Sequence, residues 1–206
     1  MTRHKSHDER RAQILGAART CFIRAGYAHT RVDDIAKEAG LSKGGIYFHF
    51  KSKREIFDAL HGDQQAQTKA LVEQARSVEG SASEALSTLA ATMVNHLLSA
   101  DDRRKFLIVL AEMGMRDPEI HQNIVDAHDA YVDALAAHIQ AGIDAGEFRA
   151  VDAHQTAMFL KVLIDGVEQG MAIGYQFDAM PLMLTTMDIV FNGLSNEKRD
   201  SGGRVS

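Results

Sequence analysis

With a single cysteine, Cys21, this chain of 206 residues cannot close an intrachain disulfide. A disulfide-stapled scaffold is therefore excluded, and a reducing compartment fits the composition. Only two prolines interrupt it, Pro118 and Pro181. β-Branched alternation, the mark of half-buried strands, is nearly absent. Long apolar runs are missing too. The longest clean one, Phe106 to Ala111, falls far short of the ~20 residues that span a bilayer. The opening MTRHKSHDERR is charged and lacks the apolar stretch of a secretory signal. These absences predict a soluble, cytoplasmic, all-α protein with no membrane partner. Motifs of catalysis are absent as well: there is no nucleophile–base–orienter set, no phosphate loop and no HExxH metal motif. Cys21 falls on a packed helix face, where a thiol is inert. Of the ten histidines, His121 and His128 share a helical face, but His138 points elsewhere and no cysteine joins them. Neither an enzyme, a cofactor nor a metal site is expected.

What is present is distributed unevenly. Apolar residues make up 45% of the chain, ample for a sizeable core. Residues 1–54 hold 12 Lys+Arg against 5 Asp+Glu, whereas residues 55–206 hold 11 against 23. A head of charge +7 on a body of charge −12 suggests that only the head meets a polyanion.

The head reads as closely spaced helices. From about Asp8 to Ala25, Ile14, Ala17, Ala18, Cys21 and Phe22 form one apolar stripe, closed by Gly26. Thr30, with Asp33 three residues on, resembles a cap for a second helix that turns Val32, Ile35, Ala36 and Ala39 inward. Gly40 supplies a tight turn, and Ser42 caps a short third helix anchored by Ile46 and Phe50. Ser52-Lys53-Arg54-Glu55 is a capping-box pattern for a fourth helix reaching about Ser77. Helix, glycine turn and short helix, braced by a preceding helix, make a helix-turn-helix that enters the major groove by the start of its second helix. Ser42, Lys43, Gly44, Gly45, Tyr47, Phe48 and His49 stand outward on it. Two glycines in one turn cost about 1 kcal/mol each relative to alanine, a cost that makes sense where backbone must approach a base edge or phosphate. Tyr47 and His49 can donate to phosphate oxygens, Lys53 adds positive potential, and Phe48 offers apolar contact to a thymine methyl.

Five more helices follow in the body: about Ser81–Ser99, Asp102–Met115, Asp117 to Ala145 with Gly146 as terminator, Asp152 to Tyr175, and from near Pro181 to Asn192. The division predicted is 1–54 for DNA binding, 55–195 for a helical body, and 196–206 as a disordered tail. Gly166, Gly170 and Gly174 read as a small-residue stripe where another helix packs closely.

The stretch ILGAARTCFIRAGYAHTRVDDIAKEAGLSKGGIYFHFKSKREIF, Ile14 to Phe57, resembles the TetR family of bacterial transcriptional regulators. Its marks are Phe22…Gly26-Tyr27, Thr30-x-Val32-x-x-Ile35-Ala36, Ala39-Gly40-Leu41-Ser42 and Tyr47-x-His49-Phe50-x-x-Lys53. Phe48 departs from the hydroxyl- or NH-bearing aromatic that many members carry. The resemblance implies about nine helices, an N-terminal three-helix reading domain and a C-terminal ligand-binding and dimerisation domain in an Ω-shaped homodimer. It implies repression at a palindromic double-stranded operator, with release by a small apolar or amphipathic effector. Partner-controlled or effector-independent regulation, or activation, is the alternative. It also implies DNA contacts from Thr30, Arg31, Ser42 to Gly45, Tyr47 to His49 and Lys53. Phe106, Leu110, Met113, Met158, Phe159 and Leu163 would line the effector pocket, and Gly166, Gly170, Gly174 and Met187 the dimer interface.

Overall fold

The computed structural model describes residues 6–99, 101–175 and 178–194. The predicted tail at 196–206 lies outside them. Nine helices and no strand occur among the described residues: α1 (His7–His29), α2 (Val32–Ala39), α3 (Lys43–His49), α4 (Lys53–Ser77), α5 (Ala82–Ser99), α6 (Asp101–Gly114), α7 (Pro118–Asp144), α8 (Ala153–Ala172) and α9 (Ala179–Leu194). None of these is long and apolar enough to cross a membrane.

Local chemistry fixes the boundaries. Ser6 opens α1 through a reciprocal box with Glu9. Gly40, in the left-handed region at φ 64°, lets Leu41 N–H reach the Ala36 carbonyl at 2.9 Å, closing α2 within one residue. Asp117 accepts from the amides of Glu119 and Ile120, and Pro118 takes the first position of α7, where its missing N–H costs nothing. The start of α2 differs from expectation. Arg31 is its cap residue, and the Asp34 carboxylate accepts the Arg31 amide at 2.8 Å. Thr30 turns inward instead, because Gly26 sits at φ 74°, ψ 162° and redirects the end of α1. That bend leaves carbonyls of the last turn without helical partners. The Thr30 hydroxyl donates to the Gly26 oxygen at 2.8 Å, with the Cys21 oxygen at 3.2 Å.

The stripe of α1 is buried as its periodicity requires, together with Ile35, Ala36, Ala39, Ile46 and Phe50. This core does not stop at the head. It continues through Ile56, Phe57 and Leu60 of α4 to Phe106, Val109 and Leu110 of α6 and Ile120 of α7. A second core joins α5, α7, α8 and α9 around Val132, Leu135, Ile139 and Phe148. Gly142 is essential to it: a Cβ there would stand 2.3 Å from the Phe148 ring and 2.7 Å from the Ala82 Cβ.

The three glycines expected in one stripe differ in setting. Gly174 lies beyond α8 at φ 86°, where it terminates the helix and lets Tyr175 N–H bond the Gly170 carbonyl at 2.9 Å. Gly170 is buried, whereas Gly166 is exposed.

Gly142→Ala is therefore expected to lower stability by about 1–3 kcal/mol through overpacking. Gly62→Ala, on the open face of α4 with no atom within 4 Å of the added Cβ, should raise it by about 0.5–1 kcal/mol. Urea unfolding of both variants checks the opposite signs.

Candidate nucleic-acid interface and effector cavity

Ser42 opens α3 by accepting the Gly45 amide at 3.1 Å, which leaves the first turn facing outward. Within it, a Cβ at Gly44 would meet only the Ser42 Oγ at 3.9 Å, and one at Gly45 only ordinary contacts of 3.5 and 3.7 Å. The fold itself makes no demand for glycine at either position. Tyr47 is 46% exposed and Phe48, large and wholly apolar, is 78% exposed. Lys43 reaches back to Asp33 of α2 at 2.9 Å, and this carboxylate holds the lysine pKa above its ordinary value. The pair pins the two helices of the reading unit. Arg31 stands exposed beside them, as does Lys51 in the turn after α3, a cation the motif reading passed over.

Three of the predicted contact residues have partners inside the head. Thr30 is 2% exposed, and its hydroxyl serves α1, so the side chain is removed from the outward set. Lys53 turns its ammonium onto the carbonyl end of α1, donating to Tyr27 at 2.7 Å and Thr30 at 2.8 Å, with Ala28 at 3.4 Å. It also lies 4.3 Å from the centre of the Tyr27 ring. Burial holds its pKa below the ordinary lysine value. This cation completes helix α1 rather than projecting from α4. His49 is half-buried, its ring 4.6 Å from that of His7, and burial with neighbouring cations pushes its pKa down. Cys21 is buried and its thiol pKa raised by desolvation, which makes it unreactive.

The body holds two adjoining cavities. One of about 380 Å3 opens between α4, α5, α6, α7 and α8, lined by polar groups that include His61, Gln64, His96, Arg103, Arg104 and Asp165. The other, about 190 Å3, is almost wholly apolar and lies between α5, α7, α8 and α9. Of the residues predicted for the effector pocket, Leu110 lines the first and Leu163 the second. Phe106 does not: it is 1% exposed and packs on Phe57 at the joint with the head. Met113 packs against the same joint. Met158 lies against the second core, its sulfur 3.2 Å from His128 Nε2. Phe159, next to it along the helix, points away and is 60% exposed. Met187, predicted at the dimer face, lines the apolar cavity. Burial beside Arg103 drives the His96 pKa down to about 4, so this imidazole is neutral.

Replacing Lys53 by methionine keeps the stem and removes the ammonium. Leaving part-buried carbonyls without a partner costs about 1–3 kcal/mol, so the melting temperature should fall; an unchanged value in calorimetry would refute the role of the ammonium in completing α1.

Relatives carry the same arrangement. The description "Bacterial regulatory proteins, tetR family" matches residues 14–60, and "Tetracyclin repressor-like, C-terminal domain" matches 79–170. The HTH-type transcriptional regulator YfiR of Bacillus subtilis is 30% identical over 177 residues, 80% of this chain and 82% of that one. The regulator TtgR of Pseudomonas putida is 32% identical over 168 residues, covering 77% and 78%. A transcriptional regulator from Saccharomonospora viridis, solved with choline, superposes with TM-score 0.75 at 26% identity over 91% of this chain and 98% of that one. The chain therefore belongs to the TetR family of DNA-binding transcriptional regulators, which are not enzymes.

Proposed function

We propose that this regulator is a homodimeric repressor that grips a palindromic operator in the cytoplasm and is released by a small amphipathic effector. Residues 1–54 read the DNA; 55–195 hold the effector and the partner copy. The glycine pair Gly44-Gly45 carries the reading: it weakens α3, and nothing within the fold requires it. Close approach of a groove to the backbone accounts for both. Ser42, Lys43, Tyr47 and Phe48 then face the bases and phosphates, with Arg31 flanking. Thr30 and Lys53 act behind them by setting the angle between α1 and α4.

Pairing is supported by a stripe on α8. Phe159, Val162, Gly166, Gln169 and Ile173 follow helical spacing and are all exposed, with Phe159 and Ile173 each 60% open. Leu184 and Ile189 of α9 are similarly bare. An apolar face of this kind marks an interface. Gly166 fits within it, where the missing side chain lets a second helix come close. The effector reading rests on the cavities. Relatives include a fatty acid metabolism regulator of Bacillus subtilis, 25% identical over 187 residues, 90% of this chain and 95% of that one.

Fluorescence anisotropy on a palindrome selected from random duplexes tests the reading helix. Gly44→Ala and Tyr47→Ala are each expected to weaken binding at least tenfold while leaving the melting temperature equal or higher. Unweakened binding by both variants would sink the assignment. In sedimentation, Val162→Arg should yield monomers, and with them lose operator affinity, because two heads about 34–36 Å apart are needed to span half-sites.

A further inference from the structure

From the side chains of the two cavities we propose that, given the effector reading above, the ligand is an amphipath with an anionic head: the head sits on Arg103 in the polar chamber and an aliphatic chain fills the apolar one.

The charges in the polar chamber are not equivalent. Its carboxylates are engaged: Asp165 by Lys161 and by His128 at 3.8 Å, Glu168 by Arg103 Nη2 at 2.8 Å. A cationic ligand would have to displace those partners. Arg103 is different. It is 8% exposed, burial lowers its pKa, and Glu168 takes one of its nitrogens while its Nε is buried with no hydrogen-bond partner among the described residues. A guanidinium fork with a donor left over suits a carboxylate or phosphate oxygen. A buried donor without an acceptor is costly, so an oxygen placed there gains more than it would at a surface. His96 and His61, whose pKa values burial lowers, bring no competing charge near neutrality.

The apolar chamber supplies the second half. Leu86, Leu89, Leu163, Val167 and Val190 wall it, and no charged side chain does. Met93, Tyr131 and Ile164 line both chambers, so the two meet at these residues. Met93 is the adaptable one, an unbranched thioether that can move aside for a chain. Arg103 also sits on α6, the helix that carries Phe106 and Val109 into the core of the head. A head group that draws on Arg103 therefore pulls on a helix packed against the head.

Titration calorimetry on the full chain without DNA separates this claim from the repressor reading, since binding is measured whether or not an operator is recognised. The probes are decanoate, decyl phosphate, 1-decanol and decyltrimethylammonium, below their aggregation concentrations. One or both anions are expected to bind at least tenfold more tightly than the alcohol and the cation, and the stronger anion identifies the head as carboxylate or phosphate. Lengthening the preferred anion by one methylene should tighten binding by up to about fourfold, equivalent to ~0.8 kcal/mol. Leu163→Trp, which fills the apolar chamber, should abolish that increment. Arg103→Gln should bring the anion down to the affinity of 1-decanol and leave 1-decanol unchanged. Equal binding of alcohol and anion by the unaltered chain, tighter binding of the cation, or no binding of any probe would overturn the proposal. So would an Arg103→Gln variant that weakens alcohol and anion alike.

Discussion

The head has no closed core of its own, and that constraint governs the molecule. Phe57, wedged between Phe22 and Tyr27 of α1, meets Phe106 of α6 at 6.0 Å between ring centres. Phe106 is in turn capped by the Arg19 guanidinium, 5.8 Å from its ring centre. Burial of such aromatics contributes a few kcal/mol each and depends on close fit, so the rings cannot slide apart without loss. Outside them, Arg54 joins Asp117 at 2.6 Å, tying the start of α4 to the cap of α7. Head and body thus share one continuous core, and the angle of the reading helix depends on residues more than fifty positions downstream.

Lys53 completes this joint from the polar side. The end of α1 is bent by Gly26, and a bent helix end exposes carbonyls that need donors. Thr30 supplies a hydroxyl and Lys53 an ammonium. The Gly26-Tyr27, Thr30 and Lys53 elements of the family motif form one hydrogen-bonded unit between the end of α1 and the start of α4.

Much of this was legible in the chain. Ser42, Ser52, Asp117 and Asp152 each act as caps where read, because a short polar side chain before an apolar period has few other uses. Thr30 was misplaced since a threonine ahead of Asp33 looks the same whether its hydroxyl reaches forward to α2 or back to α1. Glycines four apart look alike inside a helix and two residues past its end, so Gly174 could not be told from Gly170. Met158 and Phe159 are both apolar neighbours on α8, and sequence does not say which lies about 100° round towards solvent. Phe106 looks like a cavity residue because α6 is apolar on two faces, one towards the cavity and one towards the head. The Gly142 contact was invisible: it depends on Phe148 folding back after the α7 turn and on Ala82 arriving from another helix.

Helix α9 carries Leu182, Thr186, Met187 and Val190 on the wall of the apolar chamber and bares Leu184 and Ile189 on its other side. Its far end is held, since the Leu194 carbonyl accepts the Arg149 amide at 2.9 Å. In the paired assembly proposed above, α9 would stand between the chamber of one copy and the neighbour, so a ligand in one chamber would bear on a wall that the other copy touches. Response to effector concentration would then be a property of the pair, steeper or shallower than either chamber alone could give.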